Sequence, residues 1–144
     1  MENLLAKKCV PCEGGTPPLK GEQIQKYLDQ LKGGWEVEGE KEIQKKFNFK
    51  SFRESIDFVN RVANLAEEEN HHPDIHIRYR NVTLDLSTHA IGGLSENDFI
   101  LASKIDLLYT WNDVVRSFLM AKLFSLKALA IYAIILIILL FLFR

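Results

Sequence analysis

Glu69-Asn70-His71-His72-Pro73-Asp74-Ile75-His76-Ile77-Arg78-Tyr79-Arg80-Asn81-Val82-Thr83-Leu84-Asp85-Leu86-Ser87-Thr88-His89 changes its apolar period partway along. Before Glu69 the apolar residues recur at helical spacing. From Asp74 the period is two, with Ile75, Ile77 and Tyr79 on one face and His76, Arg78 and Arg80 on the other. After a turn at Arg80-Asn81, Val82, Leu84 and Leu86 alternate with Thr83, Asp85, Ser87 and His89, which reads as a half-buried antiparallel hairpin. Pro73 cannot continue a helix and biases His72 towards extended backbone, so the helix is predicted to stop around the histidines. The same stretch holds all four histidines of the chain, His71, His72, His76 and His89. Imidazole titrates nearest neutral pH, and here it is concentrated at a helix-to-strand junction and a strand end.

Working outward, Ser51-Phe52-Arg53-Glu54 is a capping box that opens the helix. Phe52, Ile56, Val59, Ala63 and Ala66 follow at helical spacing to about Glu69. Further upstream, Trp35 to Glu38 and Glu42 to Phe49 read as two strands joined near Gly39, with imperfect alternation. A helix from about Gly21 to Lys32 carries Ile24, Tyr27, Leu28 and Leu31 on one stripe, and Gly33-Gly34 ends it. Residues 1–19 are too rich in Pro and Gly for a regular element and read as a flexible arm. Downstream, Gly92-Gly93 makes a turn, and Ser95-Glu96-Asn97-Asp98 is a second capping box. The helix it opens turns Phe99, Ala102, Ile105 and Leu108 inward. The order α-β-β-α-β-β-α predicts an α+β fold: a four-stranded antiparallel sheet with about three helices on one face, over residues 20–109.

Residues 110–122 read as a linker or helix extension, and 123–143 as a C-terminal hydrophobic helix. Leu123 to Phe143 carries one charge, Lys127, and at about 1.5 Å per residue spans roughly 30 Å, the thickness of a bilayer core. Arg116, Lys122 and Lys127 lie on its N-terminal side, which predicts that side in the cytoplasm.

The chain has 144 residues and a formal net charge of -1, enough for one modest domain and an appendage, without the basic field that would point to nucleic acid. Its two cysteines, Cys9 and Cys12, cannot form a disulfide framework. Met1-Glu2-Asn3 lacks the basic and apolar regions of a signal peptide, so the domain is expected to be cytoplasmic.

Chemically, adjacent residues in extended chain point opposite ways, which gives His71 and His72 separate roles. With His89 at a strand end, two or three imidazoles converge without a recognisable Ser or Cys nucleophile motif. That combination favours proton transfer, one His protonating a leaving group and another accepting a proton. Zinc held by His with Glu67, Glu68 or Glu69 is the rival, but the spacing matches no standard motif and no metal is expected. His76 reads as an exposed strand residue, and Asp98 alone would be read as a helix cap. Cys9-x-x-Cys12 could be half a zinc site or a redox pair; the arm reading is preferred.

Glu-x-His-His-Pro, the following tyrosine, Leu-Ser-Thr-His and Gly-Leu-Ser-Glu-x-Asp together resemble the pterin-4a-carbinolamine dehydratases, over roughly Leu19 to Leu108. The arm Cys-x-x-Cys-x-Gly-Gly-x-Pro-Pro-Leu is also similar to the start of many bacterial members. The resemblance implies an antiparallel sheet with helices on one side, and a hydro-lyase that removes water from a 4a-hydroxytetrahydropterin during tetrahydrobiopterin recycling. It implies His71, His72, His89 and Asp98 as catalytic residues; beyond the resemblance, we expect His71 and His89 to be the proton-transfer pair and His72 to position the pterin, with acid and base not assigned between them. Glu69, Ser87 and Thr88 are further expected substrate contacts. No cofactor is implied, since the pterin is the substrate, and family members form dimers and tetramers. Two other roles fit such a chain: a dimerisation cofactor of a transcription regulator, and an enzyme acting on the pterin of the molybdenum cofactor. The hydrophobic tail is not part of the resemblance.

Overall fold

The structure is a computed structural model that describes residues 3–11 and 15–110. Cys12, the segment 111–122 and the expected membrane stretch 123–143 lie outside the described residues. Helix α1 spans Glu22–Leu28, strand β1 Glu36–Glu38, β2 Glu42–Asn48, helix α2 Phe52–Glu69, β3 Asp74–Arg78 and β4 Asn81–Leu86. Helix α3 begins at 96 and runs to the last described residue, 110. The sheet order is β1-β2-β4-β3 with every pair antiparallel, the α+β architecture expected from the sequence.

Register follows the alternation. Ile43 pairs with Leu86, Lys45 with Leu84 and Phe47 with Val82, so both central strands present their apolar residues to one side. Val82, Leu84 and Leu86 are fully buried there, together with Phe58 and Val62 of α2 and Phe99, Leu101 and Ile105 of α3. Phe47 lies 5.0 Å from Phe58 and 5.1 Å from Tyr109, ring centre to ring centre, which ties the sheet to α2 and to the C-terminal part of α3. No helix among the described residues is long and apolar enough to cross a membrane.

Several local expectations shift. The hairpin turns at Tyr79-Arg80, one residue earlier than predicted; Tyr79 has φ 56° and is 69% exposed, so it leaves the apolar face. Helix α2 is rotated by about one residue: Ser55, Phe58, Val62, Ala66 and Glu69 are buried, while Phe52 and Ala63 are exposed. Phe58, the bulkiest apolar residue on the helix interior, decides that orientation by packing on Phe47 and Phe49. In α3 the four consecutive residues Phe99 to Ala102 are all buried, more than one stripe supplies.

The N-terminal segment expected to be a flexible arm is placed on the domain. Leu4 is only 3% exposed and joins the core cluster, and Cys9 packs against it. At Gly93 a Cβ would stand 2.8 Å from Cβ of Pro18, so this close approach of loop and arm needs glycine.

Candidate active site

The site begins with how α2 ends. Asn70 takes the left-handed conformation (φ 49°, ψ 40°), and its N–H and that of His71 turn back to the carbonyls of Glu67 and Ala66. This Schellman-type closure, rather than Pro73, stops the helix, and Pro73 then keeps the chain extended into β3. His71 is thereby set just past the helix end, with its side chain 11% exposed.

Its partner comes from α3. His71 Nε2 lies 2.7 Å from Oδ1 of Asp98, whose side chain is fully buried. Asp98 also closes the predicted capping box, because the Ser95 N–H donates to Oδ2 at 2.7 Å. The Thr88 hydroxyl donates to the same oxygen at 2.8 Å and lies 2.7 Å from the Ser95 hydroxyl. Asp98 therefore serves as cap and as histidine partner together. With Oδ2 accepting from Ser95 and Thr88, Oδ1 is left to accept the Nε2–H of His71. That arrangement makes Nε2 the nitrogen that donates to Asp98 and turns Nδ1 away from it, with no protein partner for Nδ1 among the described residues.

Of the other expected residues only Thr88 contacts this pair directly; the rest lie in different surroundings. His72, more than half exposed, has Nε2 2.9 Å from Glu67 Oε1, which draws its ring back along α2. His89 is not the end of β4, which closes at Leu86; it opens a short 3-10 turn, His89–Ile91, and is exposed. The strand ends early because Thr88 forms an isolated bridge to Gly93 across the Gly92-Gly93 loop. Thr88 is buried with its hydroxyl on Asp98, so it supports the dyad directly and puts His89 next to it in the chain. Ser87 is half-buried between β4 and that bridge. His76 stands apart from the dyad, 3.1 Å from Asp85 and mostly exposed.

Glu69 is committed elsewhere. Lys104 donates to its Oε1 at 2.6 Å and the Cys9 N–H to its Oε2 at 2.9 Å. Burial works to raise its pKa, but the hydrogen bonds from Lys104 and the Cys9 backbone, with the Lys104 charge, hold it below the ordinary carboxylate value. Burial, with Glu69 beside it, pushes the Cys9 thiol up to about 12, so Cys9 is a neutral packing residue at neutral pH. Among the described residues no group of three or more His, Cys, Asp or Glu is placed to hold a metal. Sequence reasoning missed the polar contacts of Lys7, Cys9 and Val10 with the dyad's neighbours. An irregular Pro/Gly-rich arm carries no periodicity that could have signalled them.

A family model described as "Pterin 4 alpha carbinolamine dehydratase" matches residues 17–108. A protein of Rubrobacter xylanophilus named "Putative pterin-4-alpha-carbinolamine dehydratase" is 51% identical over 108 residues, 75% of this chain and 100% of that one. A relative of the same name from Alkaliphilus metalliredigens is 44% identical over 106 residues, 74% of this chain and 96% of its own. Among solved structures, a transcriptional coactivator/pterin dehydratase from Brucella melitensis is similar at 32% identity and a TM-score of 0.60, covering 63% of this chain and 97% of that one.

Proposed function

The chain belongs to the pterin 4 alpha carbinolamine dehydratase family, and from that premise we propose that it removes water from a 4a-hydroxytetrahydropterin to give the quinonoid dihydropterin, using histidine acid/base catalysis. The observation that carries this reading is the 2.7 Å contact of His71 with the buried Asp98. Dehydration breaks the C4a–O bond and the N5–H bond, forms the C4a=N5 double bond and leaves no net change of oxidation state. Groups that move protons therefore suffice, and no cofactor is required.

In this proposal Nδ1 of His71 takes the N5 proton. Asp98 on the opposite nitrogen offsets the positive charge that develops on the ring and keeps it oriented. His89, exposed beside the Thr88–Asp98 contact, protonates the departing hydroxyl, and His72 positions the pterin. Ser87 is a further substrate contact. Glu69 and Thr88, whose polar atoms are taken up by protein, act by holding the site. The physiological setting proposed is recycling of tetrahydrobiopterin, by a homodimer or homotetramer in the cytoplasm, with residues 123–143 as a membrane anchor.

The test is dehydration of a freshly generated 4a-hydroxytetrahydropterin by the full chain, with and without a chelator. Turnover should survive chelation and fall about 10²- to 10⁴-fold in His71→Ala and His89→Ala, the usual weight of acid/base groups. His76→Ala should match the wild type. A wild-type chain no faster than the uncatalysed reaction would overturn the reading. The name of the Brucella structure favours one alternative, a protein-binding cofactor of a transcription regulator. That role would leave partner binding intact in His71→Ala.

A further inference from the structure

We propose that the segment Lys7 to Val10 is a positioning strap for the His71–Asp98 pair. His71 follows the end of α2 and Asp98 lies in the first turn of α3, so their contact depends on how these two helix ends are held together. The segment binds both. The Cys9 N–H donates to Glu69 Oε2 at 2.9 Å, two residues before His71. One position further on, the Val10 N–H donates to Asn97 Oδ1 at 3.1 Å, and Asn97 Nδ2 donates back to the Val10 carbonyl at 2.7 Å, one residue before Asp98. Lys7 Nζ reaches Glu96 Oε1 at 2.8 Å, and the Cys9 thiol lies 3.6 Å from the Asn97 carbonyl.

Leu4, buried in the core, fixes the near end of this segment. The Lys104–Glu69 contact joins α2 to α3 from within the helices, and the strap adds a second tie outside them. Hydrogen bonds weaken steeply with misalignment, and proton transfer needs the histidine within a narrow range of positions. None of the strap residues needs to touch the pterin for this; they act through the helix ends. The kinetic part of the proposal rests on the dehydratase reading above, whereas the structural coupling does not.

The experiment uses the full chain with Asn97→Ala, which removes both side-chain bonds to Val10, and with the milder Lys7→Ala, whose site is partly exposed and whose loss leaves the core intact. Turnover and the imidazole ring NMR signals of His71, assigned with His71→Gln, are both read. In Asn97→Ala, kcat should fall about 5- to 20-fold with KM within about twofold, and the His71 signals should move in the absence of any pterin. Lys7→Ala should shift both in the same direction by less, and it alone decides the matter should Asn97→Ala not fold. Unchanged kcat and unmoved His71 signals in a folded variant would overturn the proposal, as would a rise in KM alone, which would place the strap on the substrate. If the wild type has no dehydratase activity but the His71 signals still move, the strap stands and the function proposed for it falls.

Discussion

Asp98 shows how one residue can satisfy two demands. Its Oδ2 closes the N-terminus of α3 and takes the Thr88 hydroxyl, leaving Oδ1 for His71. The two oxygens are therefore not equivalent. In Asp98→Asn, the cap retains its acceptors only if the amide oxygen stays at the Oδ2 position, which turns the NH₂ towards Nε2. The amide then donates where the carboxylate accepted, and His71 is forced into the tautomer with its hydrogen on Nδ1. Turnover should fall about 10⁴-fold, as when the carboxylate that orients a catalytic histidine is replaced by its amide elsewhere. Thermal unfolding should move little, because the cap survives. A variant that keeps full turnover would show that the orientation of His71 is irrelevant to the chemistry.

Among the elements, β2 explains why its sequence alternates poorly. Ile43, Lys45 and Phe47 share the face turned towards the helices, so a lysine stands in an apolar row. It is accommodated because Asp106 of α3 faces it: Lys45 Nζ is 2.7 Å from Asp106 Oδ1 and 2.8 Å from the Gly33 carbonyl. The second oxygen of Asp106 accepts from the Trp35 indole N–H at 3.1 Å and the Lys32 N–H at 3.2 Å. One carboxylate thus ties α3 to β2 and to the loop after α1. Asp106→Ala should destabilise the domain by about 3–5 kcal/mol, because it leaves a largely buried lysine and an indole N–H without their partner. Denaturant unfolding measures this; a loss under about 1 kcal/mol would mean that water replaces the carboxylate at little cost.

For the molecule as a whole, the compact unit Met1–Tyr109 contains the sheet, the core cluster and the His71–Asp98 pair. Tyr109 belongs to it, edge-on to Phe47, Phe49 and Phe58 with its hydroxyl donating to the Asn48 carbonyl at 3.1 Å. A fragment 1–109 should therefore keep the aromatic cluster and the full turnover of the complete chain. Its melting temperature should stay within about 4 °C, the shift that roughly 1 kcal/mol produces in a domain of this size. If the 123–143 stretch is an anchor, the full chain should sediment with membranes and resist carbonate extraction, while the fragment stays in the aqueous phase. Finding both in the aqueous phase would dismiss the anchor.

Local patterns in the sequence determined the element order, the antiparallel hairpin and the starts of α2 and α3, because the period of apolar residues and the chemistry of helix starts act over a few residues. The clustered histidines marked the candidate site for the same reason, whereas Asp98 read by itself was a helix cap and joined the site only through the family resemblance. Tertiary structure decided which face of α2 is buried, since Phe58 had to meet Phe47, and why Lys45 can point inward, since its partner lies 61 residues away. It also decided that Asp98 reaches His71 as well as capping α3, and that Lys7 to Val10 clasp the ends of α2 and α3. These are contacts between groups far apart in the chain; their geometry exists only once the helices have packed on the sheet.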